Sequence, residues 1–235
     1  SLFVTTSQDI HLPNGDIYIK KHMDGVIFAG EVDIRVIEEF RKQSIPVVLV
    51  NNYLDMDGLV CISADHYGGA VQATEYLCKL GHCKIGLLSG RFSPQVSEAR
   101  IEGFVKTLAK YDIPVDDRFI ADIEPALEDG EEIMTRMLRG VDRPTAFFCT
   151  NDTIAAGAMK AVTRAGLRVP EDIAIIGFDD SYISRVVEPE LTTVRIDAAK
   201  MGCLAMQTLF DLIAGMPVEK AHIQIPTELI VRGTA

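Results

Sequence analysis

Two adjacent carboxylates, Asp179 and Asp180, end an apolar run that begins at Ile173. A carboxylate accepts hydrogen bonds, so at the tip of a strand it can hold the hydroxyl or amine groups of a small polar molecule. Successive residues of a strand point to opposite faces, and two neighbours do not readily face one pocket. We therefore expect one of these carboxylates to face a ligand and the other to bind backbone or an arginine.

Polar side chains also follow the other apolar runs that the sequence predicts as strands. Asn51 follows residues 45–50, and residues 90–100 follow another such run. In open α/β sheets, ligands bind at the carboxyl ends of the strands. The side chains at these ends suit a polar molecule, and they predict a binding site formed by Arg100, Asn151, Asp179, Asp152, Asn51, Gln95 and Phe178.

Some of these residues also have a purely structural explanation. Asn151 could be only the N-cap of the helix that follows it, and Asp152 only a first-turn acid that the helix dipole favours. Phe178 could stack on a ligand ring or belong to the core. Arg100 differs, because we place it in the first turn of a helix capped by Ser97, where the dipole disfavours a cation. That position favours a functional role for the arginine.

Histidines and cysteines do not point to chemistry in this sequence. We assign no role to His66 or His82, which look like residues of loops or helix ends. The five cysteines include no Cys-x-x-Cys pair, which indicates reduced thiols in a cytoplasmic protein. Cys78, His82 and Cys83 are close in sequence, but an adjacent His-Cys pair at a helix end suits tetrahedral zinc poorly. We therefore expect neither a metal site nor a cofactor.

Strand and helix signals alternate along almost the whole chain. Short apolar runs bounded by turn residues predict strands, and apolar residues at helical spacing predict the segments between them as helices. The predicted strands are at residues 1–6, 24–30, 45–51, 59–63, 84–90, 118–123, 145–151, 172–178 and 191–196, with two more in 222–233. The predicted helices are at residues 31–43, 67–81, 97–111, 129–140, 152–166 and 198–215.

This alternation predicts an α/β fold with parallel sheets covered on both sides by helices. The strands are too many for one open sheet in 235 residues, so we expect two lobes. No Ser/Gly-rich linker marks a boundary between them. The lobes should therefore be joined by strands or tight crossovers.

Composition excludes several classes of function. The 23 basic and 34 acidic residues give a net charge of −11 without a dense basic run, which makes the chain a poor candidate for binding nucleic-acid phosphates. No apolar run reaches membrane-spanning length, and the first residues do not form a signal peptide. The sequence also lacks the nucleophile elbow, Walker A, zinc-protease and dinucleotide motifs, so we expect no enzyme.

Six motifs together resemble the effector-binding core of the lac-repressor/gal-repressor (LacI/GalR) family of transcription regulators. The resemblance covers residues 23–233 and is carried by "GGAVQATEYLCKLGHCKIGLLSG", "SEARIEGF", "PTAFFCTNDTIAAGAMKAV", "GLRVPEDIAIIGFDD", "PELTTVR" and "PTELIVRG". It implies a type I, periplasmic-binding-protein-like fold of two doubly wound lobes, with an effector in the cleft. It further implies that Arg100, Asn151 and Asp179 bind that effector, with Asp152 and Asp180 in support.

The resemblance also implies the lobe boundaries and the partners. The N-terminal lobe would hold residues 1–82 and 195–218, and the C-terminal lobe residues 83–194 and 219–235. A sugar or related polar metabolite would be the effector. A homodimer would bind operator DNA through an N-terminal helix-turn-helix domain that this sequence lacks. A sugar-binding protein of a transport system, which would have the same fold, is the alternative.

The sequence departs from the family pattern in three places. Residues 1–4 look like the second strand of the core, so the usual first strand and first helix are missing. Residues 124–126 stand where many relatives carry an aromatic residue, and Asn51-Asn52 stand where many carry Asp-Arg. These departures leave the identity of the effector open.

Overall fold

A computed structural model describes residues 23–217, except 53, 55, 57 and 141, and residues 221–235. The predicted strand at residues 1–6 lies outside these described residues. In chain order, the elements are β1 (Val26–Ala29), α1 (Ile34–Lys42), β2 (Val47–Val50), β3 (Val60–Ala64), α2 (His66–Lys79), β4 (Ile85–Gly90), α3 (Pro94–Lys110), β5 (Ile120–Ile123), α4 (Leu127–Met137), β6 (Ala146–Cys149), α5 (Asp152–Arg164), β7 (Ala174–Asp179), β8 (Thr192–Arg195), α6 (Ala198–Ile213), β9 (His222–Ile225) and β10 (Glu228–Ile230). Each helix that the sequence predicts is present, and so is each predicted strand within the described residues.

The chain forms two compact units, each built on its own sheet. The first unit runs to Ala64 and includes Asp197–Ile225; the second contains Asp65–Ile196 and Pro226–Ala235. The sheet of the first unit is parallel and has the order β1-β2-β3-β9. Helix α1 packs on this sheet through Phe40, whose ring lies 5.7 Å from that of Phe28.

The second unit contains a six-stranded sheet in the order β10-β8-β7-β6-β4-β5. All of its pairs are parallel except the one between β10 and β8. Consecutive residues of β6 point to opposite faces: Phe147 packs with α4 and α5, and Phe148 with α2 and α3. This arrangement is the predicted doubly wound sheet.

Two segments belong to different units from those that the lobe boundaries predicted. Helix α2 lies in residues 65–82, which were assigned to the first lobe, but it packs closely on α3 of the second unit. A Cβ added at Gly103 of α3 would lie 2.8 Å from the Cβ of Ala70 in α2. Strand β9 pairs with β3 and so belongs to the first unit. The chain therefore changes units after Ala64 and after Ile225, not near residues 82 and 218.

The predicted start of α3 is wrong by one turn. The helix begins at Pro94 after Ser93, because proline has the backbone angle of a first helical residue and loses no hydrogen bond there. The hydroxyl of Ser97, the predicted N-cap, instead donates to the carbonyl of Gly90 at 3.3 Å. Arg100 consequently lies in the second turn, and the dipole argument for its function does not apply.

Among the described residues, no helix has both the length and the apolar composition needed to cross a membrane.

Candidate functional site

The candidate site of the second unit lies where three neighbouring parallel strands end. Strands β4, β6 and β7 are adjacent, and their carboxyl ends therefore meet at one edge of the sheet. Asp179 is the last residue of β7, Asn151 follows β6, and Arg100 projects from the helix that follows β4. Ligands of open α/β sheets bind at the carboxyl ends of the strands, which we call the strand-end rule. The structure brings three of the predicted residues together at that edge.

Arg100 is the cation at the centre of this group, and it is 3% exposed. Its Nη2 donates to Oδ1 of Asp179 at 3.2 Å, and its Nη1 donates to the carbonyl of Thr150. The guanidinium carbon lies 3.9 Å from the ring centroid of Phe178 and 5.0 Å from that of Phe92. A buried guanidinium requires such hydrogen bonds, and the aromatic faces attract its charge.

Asn151 caps α5, as one of its two predicted roles requires, and it also contacts Asp179. Its Oδ1 accepts from the backbone N–H of Thr153 at 2.8 Å and of Ile154 at 3.3 Å, which caps α5. Its Nδ2 donates to Oδ2 of Asp179 at 2.9 Å. The cap fixes the amide so that its donor points at the carboxylate. Burial raises the pKa of Asp179, although Arg100 and Asn151 both favour the ionised form.

Asp179 and Asp180 have different hydrogen-bond partners, and both have a positive φ. Their φ angles are +105° and +50°, a region that Asp adopts more readily than most residues. The side chain of Asp180 is 2% exposed and accepts from Nη2 of Arg232 and from Nε of Arg195 at 2.8 Å. Burial raises the pKa of Asp180, but these hydrogen bonds outweigh it and hold the pKa at about 2. Asp180 binds arginines, as expected of one of the two carboxylates, but Asp179 also binds one, Arg100.

Asp152 is fully buried and holds the segment that follows β7. Its Oδ1 accepts from the hydroxyl of Thr193 at 2.5 Å, and its Oδ2 accepts from the backbone N–H of Ser181 at 2.6 Å. Burial raises the pKa of Asp152 to about 6 in spite of these donors. The contacts give this residue a structural role beside the site.

The three other predicted residues have different positions. Asn51 lies at the end of β2 in the first unit, where its Oδ1 accepts from the N–H of Ala64 at 3.2 Å. Gln95 is exposed at the second position of α3. Phe178 is completely buried, and the guanidinium of Arg100 lies over its ring. Of the two roles that the sequence left open for Phe178, its burial beneath Arg100 favours the core residue over the stacking surface.

His66, to which the sequence analysis assigned no role, belongs to this group. The residue is 3% exposed, and its Nδ1 lies 3.3 Å from Nε and 3.2 Å from Nη2 of Arg100. Burial and the adjacent guanidinium lower the pKa of His66 to about 3. No local signal indicated this role, because His66 follows β3, a strand of the other sheet, and contacts a residue that is distant in the chain.

The arrangement suits hydrogen bonding of a polar molecule better than metal binding. Arg100 supplies donors, Asp179 supplies acceptors and Asn151 supplies a donor, and these are the groups that recognise hydroxyls. Over the part of the chain that the structure describes, no three His, Cys, Asp or Glu side chains are grouped to hold a metal ion.

Comparison with known proteins identifies the family. Residues 74–235 match the family model of the periplasmic binding protein-like domain. The chain is 34% identical over 223 residues to the probable HTH-type transcriptional repressor ExuR of Bacillus subtilis, a match that covers 94% of this chain and 67% of that repressor. The chain belongs to the LacI/GalR family. The resemblance inferred from the six motifs is thereby confirmed.

Solved structures of this family have the same fold. A regulatory protein of the LacI family from Chloroflexus aggregans has a TM-score of 0.83 and 31% identity, and the match covers 90% of this chain and 76% of that one. A complex of the transcriptional regulator CelR with cellobiose also has a TM-score of 0.83, with 25% identity over 93% of this chain and 68% of that one. This chain spans about two thirds of the length of the curated LacI/GalR relatives that it matches.

Proposed function

We propose that this chain is the effector-binding domain of a LacI/GalR transcription regulator and that its effector is a sugar or a related small polar metabolite. The observation that carries the proposal is the group formed by Arg100, Asp179 and Asn151 at the carboxyl ends of β4, β6 and β7. The repressor relatives and the cellobiose complex of CelR support it.

The group can bind hydroxyls with useful affinity. Each sugar hydroxyl is both a donor and an acceptor, so one hydroxyl can accept from Arg100 or Asn151 while it donates to Asp179. Hydrogen bonds to charged groups contribute roughly 1.5–3 kcal/mol each. A few of them supply much of the approximately −8 kcal/mol that micromolar binding requires.

In the intact regulator, we infer that effector binding changes the affinity for operator DNA. A ligand shifts an equilibrium between two states only by its differential affinity for them, typically about 1–3 kcal/mol of coupling. We assign the intact protein to the cytoplasm, where its operator is, and we infer that it is a homodimer without catalytic activity. Both operator recognition and dimerisation belong to the whole protein, of which this chain is one domain.

A thermal-shift screen tests the proposal. The chain is melted with neutral sugars, sugar phosphates, polyols and purines in turn, because a bound ligand stabilises the folded state by about 2.7 kcal/mol at a hundredfold excess over its Kd. We expect one ligand class to raise the melting temperature and Asp179→Ala or Arg100→Ala to abolish the rise. Glu98→Ala, an exposed change on the same helix as Arg100, is the control and should leave the rise unchanged.

Two results would contradict the proposal. A rise that survives both Asp179→Ala and Arg100→Ala would mean that the compound binds away from this group. A flat response to the whole panel, from a chain that melts cooperatively, would argue against a sugar or related metabolite as the effector of this domain.

A further inference from the structure

His66 and Asp179 bind the same guanidinium from two directions. Nε and Nη2 of Arg100 both point to Nδ1 of His66, at 3.3 and 3.2 Å, and Nη2 also donates to Oδ1 of Asp179 at 3.2 Å. The histidine therefore contacts the edge of the guanidinium that carries Nε and Nη2. Its imidazole centroid is also 6.0 Å from that of Phe178, the ring beneath Arg100.

The geometry fixes the protonation state of His66. Nδ1 is the acceptor for a cation whose nitrogens can only donate, so the ring proton lies on Nε2 and the imidazole is neutral. The low pKa of His66, about 3, agrees with a neutral ring. A neutral acceptor holds the guanidinium without adding negative charge. A carboxylate in the same place would put a second negative charge beside that of Asp179.

The contacts of Arg100 restrict different movements. The face of Phe178 at 3.9 Å sets the plane of the guanidinium, but stacking on a flat ring still permits rotation within that plane. Hydrogen bonds in the plane stop this rotation, at one end from Thr150 and at the Nε edge from His66. The direction in which Arg100 presents its donors thus depends on His66.

His66 itself is held firmly at the start of α2. The side chain of Asp65 caps this helix by accepting from the N–H of Gly68 at 2.8 Å, and the carbonyl of Asp65 accepts from the hydroxyl of Thr227 at 3.2 Å. Helix α2 also lies against α3, since a Cβ at Gly103 would meet the carbonyl of Tyr67 at 2.7 Å. The imidazole is therefore fixed relative to the helix that carries Arg100.

We propose that His66 is a positioning residue, which orients the Arg100 guanidinium for the effector through the Nδ1 acceptor and does not contact the effector itself. The inference rests on the proposed function of Arg100. If His66 acts in this way, position 66 needs a hydrogen-bond acceptor bonded to Cγ and does not need an imidazole ring. Asparagine has such an acceptor in its Oδ1.

Three substitutions separate this role from a purely structural one. His66→Asn keeps an acceptor oxygen close to the place of Nδ1, His66→Phe keeps a ring of similar shape without an acceptor, and His66→Gln moves the acceptor one bond further out. His66→Gln replaces His66→Phe in the comparison if the phenylalanine variant does not melt cooperatively.

The first readout needs no ligand. In ¹⁵N NMR spectra of the chain, the Nε–H signal of Arg100 is assigned by its loss in Arg100→Lys. We expect slow solvent exchange and restricted motion of this N–H in the wild type and in His66→Asn. In His66→Phe we expect at least tenfold faster exchange. Equally slow exchange in the variant without an acceptor would overturn the proposal.

The second readout is the thermal shift with the same panel of sugars, sugar phosphates, polyols and purines. We expect His66→Asn to retain most of the wild-type shift and His66→Phe to weaken binding tenfold or more. If His66→Asn keeps the slow Arg100 signal but loses the shift, His66 contacts the effector and is not a positioning residue. If Arg100→Ala keeps the shift, the proposed function fails, while the NMR comparison still decides whether His66 positions Arg100.

Discussion

Asp179 and Asp180 are adjacent in sequence, but their side chains have opposite electrostatic environments. Asp180 is surrounded by arginines that lower its pKa to about 2, whereas burial raises the pKa of Asp179. A lowered pKa means that the fold stabilises the ionised carboxylate, and a raised pKa means that it disfavours it. The ionised form of Asp179 thus lowers the stability of the fold, and that of Asp180 raises it.

Substitution of each aspartate by asparagine should separate these roles. Asp180→Asn should lower the free energy of unfolding at pH 7 by roughly 2–3 kcal/mol, because the stabilisation of its ionised form is lost. Asp179→Asn should lower it by less, since burial raises the pKa of Asp179 and so disfavours its ionised form. Asparagine tolerates the left-handed backbone at both positions. Urea unfolding curves measure the difference, and equal losses would refute the division of roles.

His66 should make the fold sensitive to acid. Its pKa is about 3 in the folded chain and near 6.5 when it is exposed, so the unfolded chain binds the additional proton and stability falls as the pH drops below 6.5. Between pH 7 and pH 5, this residue alone should lower the free energy of unfolding by about 2 kcal/mol. His66→Asn should remove that contribution in urea titrations at the two pH values.

The buried acid Asp152 acts in the opposite direction, and it serves as the control. Its pKa of about 6 lies above the ordinary 3.8, so the folded chain binds the proton and gains stability as the pH falls from 6 towards 3.8. Asp152→Asn should therefore steepen the loss of stability between pH 7 and pH 5. If His66→Asn shows the same steep loss as the wild type, the histidine is not buried as a neutral ring.

The strand-end rule found Arg100, Asn151 and Asp179 because the direction of a parallel strand decides where its last residue lies. It did not decide which way a side chain points. Phe178 was expected as a possible stacking surface, yet its face is occupied by Arg100. His66 could not be distinguished from an ordinary helix-end histidine, because its role depends on contact with a residue that is 34 positions away in the chain.

The close approach of helices α4 and α5 depends on two glycines. A Cβ added at Gly157 of α5 would lie 2.1 Å from the carbonyl oxygen of Leu127, and one at Gly130 of α4 would lie 2.5 Å from that of Ile154. Both obstacles are backbone atoms, which do not move aside as a flexible side chain does. The two helices therefore pack directly against each other over these glycines.

Alanine at either glycine should force the two helices apart. We expect Gly157→Ala to lower the free energy of unfolding by about 1–3 kcal/mol or more, the usual cost of overpacking. Gly202→Ala is the matched control, because Gly202 lies in α6 and nothing outside its own stretch of helix lies within 4 Å of the added Cβ. That variant should be more stable by about 0.5–1 kcal/mol, since alanine loses less entropy in a helix. Thermal melts that rank the two variants the other way would contradict this packing.

Helix positions were predictable from apolar spacing, but a helix boundary was not always. The spacing of Phe104 and Leu108 indicates the inward face of α3, and both residues are buried. The start of this helix depended on whether Ser97 or Pro94 governs the local backbone. Proline decided it, because its ring fixes the backbone angle, whereas the serine hydroxyl found another acceptor in the carbonyl of Gly90.

The second unit is completed by the segment Pro226–Ala235, at the end of the chain. Strand β10 pairs with β8, and the carbonyl of Thr234 accepts from the N–H of Ile175 at 2.8 Å. Arg232 is bound to Asp180. These contacts could not be read from local patterns, because each joins residues that are more than 30 positions apart.

Removal of residues 226–235 should therefore damage a sheet that lies almost entirely earlier in the chain. We expect the truncated chain to lose slow amide exchange in β7 and β8, while the first-unit strands β1, β2 and β3 change much less. Hydrogen exchange followed by mass spectrometry measures this difference. The exposed substitution Glu228→Ala is the control and should leave exchange unchanged. Undiminished protection of β7 after truncation would show that the segment is dispensable.

The late position of residues 226–235 in the chain has a consequence during synthesis. Chains emerge at roughly 5–20 residues per second, and domains generally fold as units in the order of their emergence. The central strands of the second unit are made well before residues 226–235, so their sheet lacks its antiparallel edge until that segment leaves the ribosome. Over that interval β8 has a bare edge, and unpaired strand edges recruit other chains. A delay after β8 has left the ribosome and before residues 226–235 have left it would thus expose the nascent protein to aggregation at β8.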